Sequence, residues 1–278
     1  MAPIMIVSPH GGFGNRIRVL CSACHYAELY TCQLEHLWDG GPFICSYPHI
    51  QQVHNRGFSY FFQPKLSQHL SSSEHPELCY SEWTPSVNGW WKHQNYGQTR
   101  LKCAIVKPLH TLPMPPTNSF LIETTLRILP MTPAESHRIY SLYFTPQERF
   151  TCQVPILPES TIGISVRRSE FLHFFPEANV GLEVLHTWLS SFTQPIVLFS
   201  EDKAFLRNAR TLLVNPVTCT FESYEHVPED RAFLEFLTLA KCSHIYGTLK
   251  SSFAEEAAFF GNIPYTPITP HILVSTSL

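Results

Sequence analysis

From residue 160 to the end of the chain, short Val-, Ile- and Leu-rich runs alternate with amphipathic helical patterns, and few folds accept that order. Apolar runs of about five residues separated by helices are the mark of a parallel sheet covered by helices on both faces. The spacing predicts strands over 161–166, 196–199, 217–221 and 244–247. Helices are predicted over 181–192, 203–213 and 230–240, with a last one beginning near Phe253. This half therefore reads as Rossmann-like. The first half opens the same way, with a strand over 4–8, a glycine-containing loop, a helix over 16–30 and a strand over 34–38. In that helix Ile17, Leu20, Cys21, Cys24 and Ala27 recur on one face at helical spacing. From 40 to 119 the sequence is aromatic, His- and Pro-rich, and no period emerges.

A chain of 278 residues suffices for two domains that each bury a core, and 1–157 and 158–278 are the expected units. The 23 prolines include dense stretches at 108–116 and 130–133, which are expected to be loops rather than helix or central strand and are candidates for the interdomain path. A net charge of -3 with 15% charged residues supplies no basic field for a nucleic-acid backbone. No apolar run approaches the roughly 20 residues that span a bilayer. Nine cysteines stand singly rather than in the dense spacing of a stapled secreted domain and fit reduced thiols, so the expectation is a cytoplasmic chain or one whose anchor has been trimmed.

Ligands of open parallel sheets bind beyond the carboxyl ends of the strands, so the loops after 166, 199 and 247 are the ones that carry chemistry. After the first come Arg167 and Arg168, whose guanidinium forks suit diphosphate oxygens or a solvated ion pair. After the last comes Gly247-Thr248-Leu249-Lys250-Ser251-Ser252-Phe253. Ser252 with Glu255 fits a capping box, and the helix that begins there would offer free N–H groups to an anion. The box explains Ser252 without a ligand, yet leaves the crowding of Thr248, Lys250 and Ser251 unexplained. Glu255 and Glu256 in the first turn oppose a phosphate, so a cation is needed, and Arg167 is the candidate. The N-terminal loop Gly11-Gly12-Phe13-Gly14-Asn15-Arg16 permits close approach of a ligand to the backbone. It is neither Gly-x-Gly-x-x-Gly nor a P-loop.

Four segments in order, 11–16, 162–170, 199–203 and 235–253, resemble the fucosyltransferase superfamily of protein O-fucosyltransferases, alpha-1,6 N-glycan enzymes and nodulation fucosyltransferases. Residues 162–170 are similar to that family's His-x-Arg-Arg-x-Asp segment, and 199–203 to its Ser/Thr-Asp-Asp turn. Residues 235–253 are similar to its Asp-x-x-x-Leu-x-x-Cys-x-x-x-x-Gly-Thr-x-x-Ser-Ser run. The resemblance implies a GT-B fold, two Rossmann-like domains facing each other across a cleft, with the donor in the C-terminal half and the acceptor side in the N-terminal half. It implies that Arg167 binds the donor's beta-phosphate, that Ser251, Ser252 and Phe253 cradle the diphosphate with Thr248 and Arg168 beside them, and that Glu201, Asp202 and Glu235 lie near the nucleoside. Gly12, Gly14, Asn15 and Arg16 would approach sugar and diphosphate from the opposing domain. Three positions depart from the pattern: the family's His is Ser165, its Asp is Glu170 and its base-contacting Asp is Glu235. The donor is therefore left open between GDP-fucose and a UDP-sugar such as UDP-xylose.

Transfer from such a donor requires stabilising the departing diphosphate and activating an acceptor hydroxyl. The three aspartates, Asp39, Asp202 and Asp230, are far apart and form no Asp-x-Asp motif, so the expected reaction uses no metal and relies on Arg167 and helix N–H groups. By resemblance it is inverting, with Asp39, Glu170, His173 or Glu177 as base. Trp90, Trp91 and Tyr96 fit either an acceptor platform or core packing. Cys21-Ser22-Ala23-Cys24-His25 matches a c-type haem string, with Cys32 and His36 nearby, but its cysteines fit the buried face of the first helix better. Two readings of other classes remain: a nucleotide-binding protein without transferase activity, and a carbohydrate-binding module whose surface is the aromatic middle.

Overall fold

The computed structural model describes residues 4–9, 11–36, 38, 57–63, 70–72, 83–85, 90–93, 100–105, 119–124, 127–219, 221 and 228–269. The chain divides into two compact units, Met1–Gln147 and Glu148–Leu278. The division falls before a short helix that the expected boundary at 157 assigned to the first unit. Phe150 of that helix packs edge-on against Phe233 of the second unit, which is why the helix belongs there.

In the first unit β1 (Ile4–Pro9) leads into α1 (Phe13–Tyr30) and β2 (Gln33–His36). The short α2 (Phe58–Phe61) and strands β3 (Leu70–Ser72), β4 (Trp83–Pro85), β5 (Trp90–His93), β6 (Arg100–Ile105) and β7 (Ser119–Thr124) follow. The unit closes with α3 (Pro133–Tyr143). The described strands form one sheet in the order β3-β2-β1-β7-β6-β5-β4. It is parallel from β3 to β6, and β5 and β4 turn antiparallel at one edge. Four of these strands, β3 to β6, lie in the stretch where no period was readable.

Helix α1 buries Ile17, Leu20, Cys21 and Cys24, so both cysteines are core thiols on the apolar face, as their spacing implied. Ser22 within it accepts the N–H of Ile128 at 2.9 Å and donates to Val19 O, tying the helix to the segment before α3. Proline 133 does not exclude a helix: it occupies the first turn of α3, where a missing N–H costs nothing. Thr132 and Glu135 complete a reciprocal capping box in front of it.

The second unit begins with α4 (Glu148–Thr151) and β8 (Ile162–Val166), then α5 (Ser169–Phe174), a 3-10 turn at Pro176–Ala178, and α6 (Leu182–Ser190). Next come β9 (Ile196–Ser200), α7 (Lys203–Arg210), α8 (Pro228–Leu239), β10 (His244–Thr248), α9 (Ser252–Gly261) and β11 (Tyr265–Ile268). The strands are all parallel, in the order β11-β10-β8-β9.

Alternation along β8 divides the two faces. Ile162, Ile164 and Val166 join Leu185, Trp188 and Leu189 of α6 and Phe205, Leu206 and Ala209 of α7 in one core. On the opposite face Gly163 lies so close to Leu239 and Cys242 that a Cβ there would meet them at 2.8 and 3.0 Å. Helices therefore cover both faces, which is what near-continuous apolar strands require.

One expected strand needs correction. Residues 217–219 and 221 do not form a strand. Asn215 and Val217 make two backbone bonds with Ile196 around a single parallel bridge at Pro216, and no further pairing follows among the described residues. The fourth strand is instead Tyr265–Ile268, which follows the last helix.

Candidate functional site

In the second unit the chain leaves β8 toward β9 on one side and leaves β10 toward β11 on the other. The carboxyl ends of adjacent β8 and β10 thus form a topological switch point, where connections diverge and a crevice opens. Arg167, Arg168, Thr248 and Ser251 are all placed there. A small pocket lies between these ends, with Arg167, Arg168, Val180, Thr248 and Ile268 in its wall.

Thr248, buried at the end of β10, accepts the backbone N–H of Arg167 on its hydroxyl at 2.8 Å, which fixes the loop after β8 to the neighbouring strand. The Arg167 side chain projects from this point with 43% of its surface exposed. Its guanidinium lies 5.5 Å from the Phe171 ring, and its Nε is 3.5 Å from Glu201. Arg168 is different in kind. Only 16% exposed, it spans the Val180 carbonyl, Asp202 at 3.9 Å and the Phe205 ring. Its backbone N–H donates to Glu201 Oε1 at 2.6 Å. Arg168 therefore braces the loop, and Arg167 is the cation offered outward.

Glu201 and Asp202 come together at the end of β9, but both have structural partners. Asp202 caps α7 by accepting the Phe205 N–H at 2.9 Å, and Glu201 bridges the two arginines. Glu235 on α8 is paired with Arg231 one turn back at 2.7 Å. Its neighbour Phe236 packs 5.8 Å from Phe253, so α8 leans on the first turn of α9 beside the loop.

The capping box at Ser252 is displaced by one residue. Helix α9 starts at Ser252, its N-cap is Ser251, and the residue three on is Ala254 rather than Glu255. The buried Ser251 hydroxyl makes no capping bond, so the end of α9 is not closed by its own cap. The first N–H groups of a helix have no partner inside it and together form an anion-binding end. Helix α9 approaches β10 closely because Gly247 has no side chain: a Cβ would come within 2.4 Å of Ala254.

Lys250 was not among the expected site residues. It adopts a left-handed backbone, φ +66°, pairs with Glu177 and lies 5.3 Å from the Phe175 ring. The hydrogen bond from Lys250 holds the Glu177 carboxyl below the ordinary glutamate range. The unexplained crowding around Ser251 was the signal for Lys250; nothing local marked Glu177, 73 residues away, as its partner. His173 is exposed on α5, on the segment that also carries Glu170.

In the first unit, Gly12 is the N-cap of α1 and Gly14 is buried in the first turn. Gly11 has φ +87°, and a Cβ there would meet the Asn15 amide at 2.5 Å. Asn15 accepts from Arg18 at 2.9 Å. Arg16 is buried, donates from Nε to Gly11 O at 3.2 Å and lies 5.7 Å from the Trp38 ring, so it shapes the loop from within. Asp39 and Tyr96 lie outside the described residues; Trp90 and Trp91 fall on β5. Among the described residues no three His, Cys, Asp or Glu side chains are grouped to hold a metal, and no helix is long and apolar enough to cross a membrane.

An open parallel sheet covered by helices on both faces, with an exposed arginine at its switch point, is a doubly wound α/β unit. The particular fold is that of the fucosyltransferases. No protein-family model and no curated protein sequence matches the chain, but solved structures match along nearly its whole length. A mutant of Arabidopsis thaliana FUT1 in complex with GDP superposes with a TM-score of 0.64 at 13% identity, covering 95% of this chain and 70% of that one. The fucosyltransferase NodZ from Bradyrhizobium gives 0.61 at 15%, covering 98% and 96%. POFUT1 in complex with GDP gives 0.55 at 10%, covering 96% and 98%. A NodZ alpha-1,6-fucosyltransferase soaked with GDP-fucose is also similar, with a TM-score of 0.55 at 17% identity, covering 94% and 93%.

Proposed function

We propose that the chain is a glycosyltransferase of GT-B arrangement that binds a nucleoside-diphosphate sugar at the switch point of its second unit and transfers the sugar to a glycan hydroxyl. The observation that carries this reading is the juxtaposition, through buried Thr248, of outward-facing Arg167 with the uncapped end of α9 at Ser251. A forked cation beside the N-terminal end of a helix suits a diphosphate and would neutralise it as it departs. In this reading Ser252 and Phe253 bring the first N–H groups, and Glu201, Asp202 and Glu235 lie toward the nucleoside. Gly12, Gly14, Asn15 and Arg16 serve from the first unit. The transfer is inverting and needs no metal, because the charge that a cation would offset falls to Arg167.

The donor is GDP-fucose or a UDP-sugar. The fold neighbours bound to GDP and soaked with GDP-fucose favour the first. The second is favoured by Ser165, which is buried inside β8, paired in register with Phe199 and Gly247, where the related family carries a histidine.

Release of nucleotide from GDP-fucose, UDP-xylose and other UDP-sugars, in EDTA and with a panel of glycan acceptors, tests the reading. Release that depends on both acceptor and Arg167 supports it. Nucleotide binding without any turnover identifies a non-catalytic binder, and glycan binding indifferent to Arg167→Ala identifies a carbohydrate-binding module.

A further inference from the structure

The segment between β8 and α6 carries Glu170 and His173, and it is poorly equipped to hold itself. Helix α5 has six residues and no side-chain cap at Arg168, and isolated turns of that length are unstable in water. Ala178 and Val180 bury the segment's far end in the core, and Arg167 meets the Phe171 ring near its start. At its far end Phe175 and Glu177 both meet Lys250, the carboxylate accepting from the ammonium and the ring lying beside it. Lys250 arrives from the loop that opens α9, in a left-handed conformation that a lysine adopts only at a cost. The loops after β8 and β10 are thus joined twice, at their base by Arg167 N–H on Thr248 and at their rim by Lys250 on Glu177.

We propose that Lys250 and Glu177 form a latch that seats residues 169–178 against the loop leading into α9, so that Glu177 is a positioning residue for the donor site and not the base. A carboxylate whose lone pair is engaged by an ammonium is poorly placed to take an acceptor proton. The base is then sought among Glu170, His173 and Asp39. The functional half of this proposal rests on the nucleotide-sugar reading; the structural half does not.

Hydrogen exchange of residues 169–178 in the full-length chain, with GDP and UDP affinities measured alongside, decides it. Lys250→Glu and Glu177→Lys should each speed exchange in that segment about five- to tenfold, in keeping with an exposed ion pair supported by a ring. Each should also weaken the nucleotide that the wild-type chain binds. The charge-swapped Lys250→Glu/Glu177→Lys chain should return both readouts to within about twofold of wild type, and Lys250→Arg should keep both. Unchanged exchange in the single variants overturns the latch. Restored exchange without restored affinity in the swapped chain overturns the positioning role, since Lys250 would then touch the nucleotide itself. If the wild-type chain binds neither nucleotide, the donor reading fails, while exchange still decides whether the latch exists.

Discussion

Thr248 Oγ1 accepts the backbone N–H of Arg167 at 2.8 Å, which ties the two strand ends that flank the candidate donor site. Replacing Thr248 by Val keeps the shape and removes the acceptor. A part-buried N–H without its partner costs about 1–2 kcal/mol, and urea unfolding of Thr248→Val should show a loss of that size with weakened nucleotide binding. Wild-type stability in the variant would mean that the bond does not organise the loop.

The two adjacent arginines should separate in the laboratory. Arg168, mostly buried between Val180 O, Asp202 and Phe205, should lose about 1–2 kcal/mol of stability on Arg168→Ala. Arg167→Ala should change stability by less than about 0.5 kcal/mol. Thermal unfolding of the two variants side by side checks this, and equal destabilisation would contradict the division of roles.

Gly11 and Gly247 are intolerant for different reasons. Gly11→Ala puts a side chain at φ +87° and 2.5 Å from the Asn15 amide, and Gly247→Ala drives a methyl to 2.4 Å from Ala254. Each should cost about 1–3 kcal/mol. Gly12→Ala meets nothing within 4 Å and serves as the control. Denaturant midpoints that fail to rank Gly12→Ala as the mildest would contradict the packing described.

The first unit should carry an acid-sensitive contact. Burial raises the Glu28 pKa, but hydrogen bonds from Arg138 at 2.6 Å and Tyr143 at 2.8 Å outweigh it and leave the carboxyl below its ordinary value. A depressed folded-state pKa contributes stability above the unfolded pKa of about 4.3, lost as the pH falls through the folded value. Urea midpoints taken between about pH 6 and pH 3 should fall more steeply for wild type than for Glu28→Gln. Parallel profiles would show that the cluster adds nothing. The Tyr143 phenol, pushed up to about 12 chiefly by burial and then by its bond to Glu28, stays protonated throughout this range.

Much of the second unit was legible because burial on both faces leaves an unbroken apolar signal, as at Ile162–Val166 and Ile196–Ser200. Those strands and the helices between them lie within a few residues of where the spacing put them. The span over 217–221 misled because Val217, Cys219 and Phe221 alternate as a strand would, while pairing with β9 is confined to the single bridge between Pro216 and Ile196. Strands β3 to β5 escaped because they have three or four residues each, two of them at an antiparallel edge rich in Trp and His, and β6 escaped because Arg100 and Lys102 interrupt its aliphatic residues. The placement of Arg167 and Ser251 at the candidate site was legible because open parallel sheets bind ligands beyond their strand ends. The separation of Arg167 from Arg168 was not, since it depends on Val180 and Phe205 arriving from elsewhere in the chain.

The central claim is that a diphosphate occupies the switch point between Arg167 and the end of α9. Calorimetric titration in EDTA with GDP and GMP, and with UDP and UMP, tests it most directly. One diphosphate should bind with micromolar affinity, its monophosphate at least about tenfold more weakly, and Arg167→Ala should abolish the difference. Equal affinity for mono- and diphosphate, or diphosphate binding unaffected by Arg167→Ala, would contradict it.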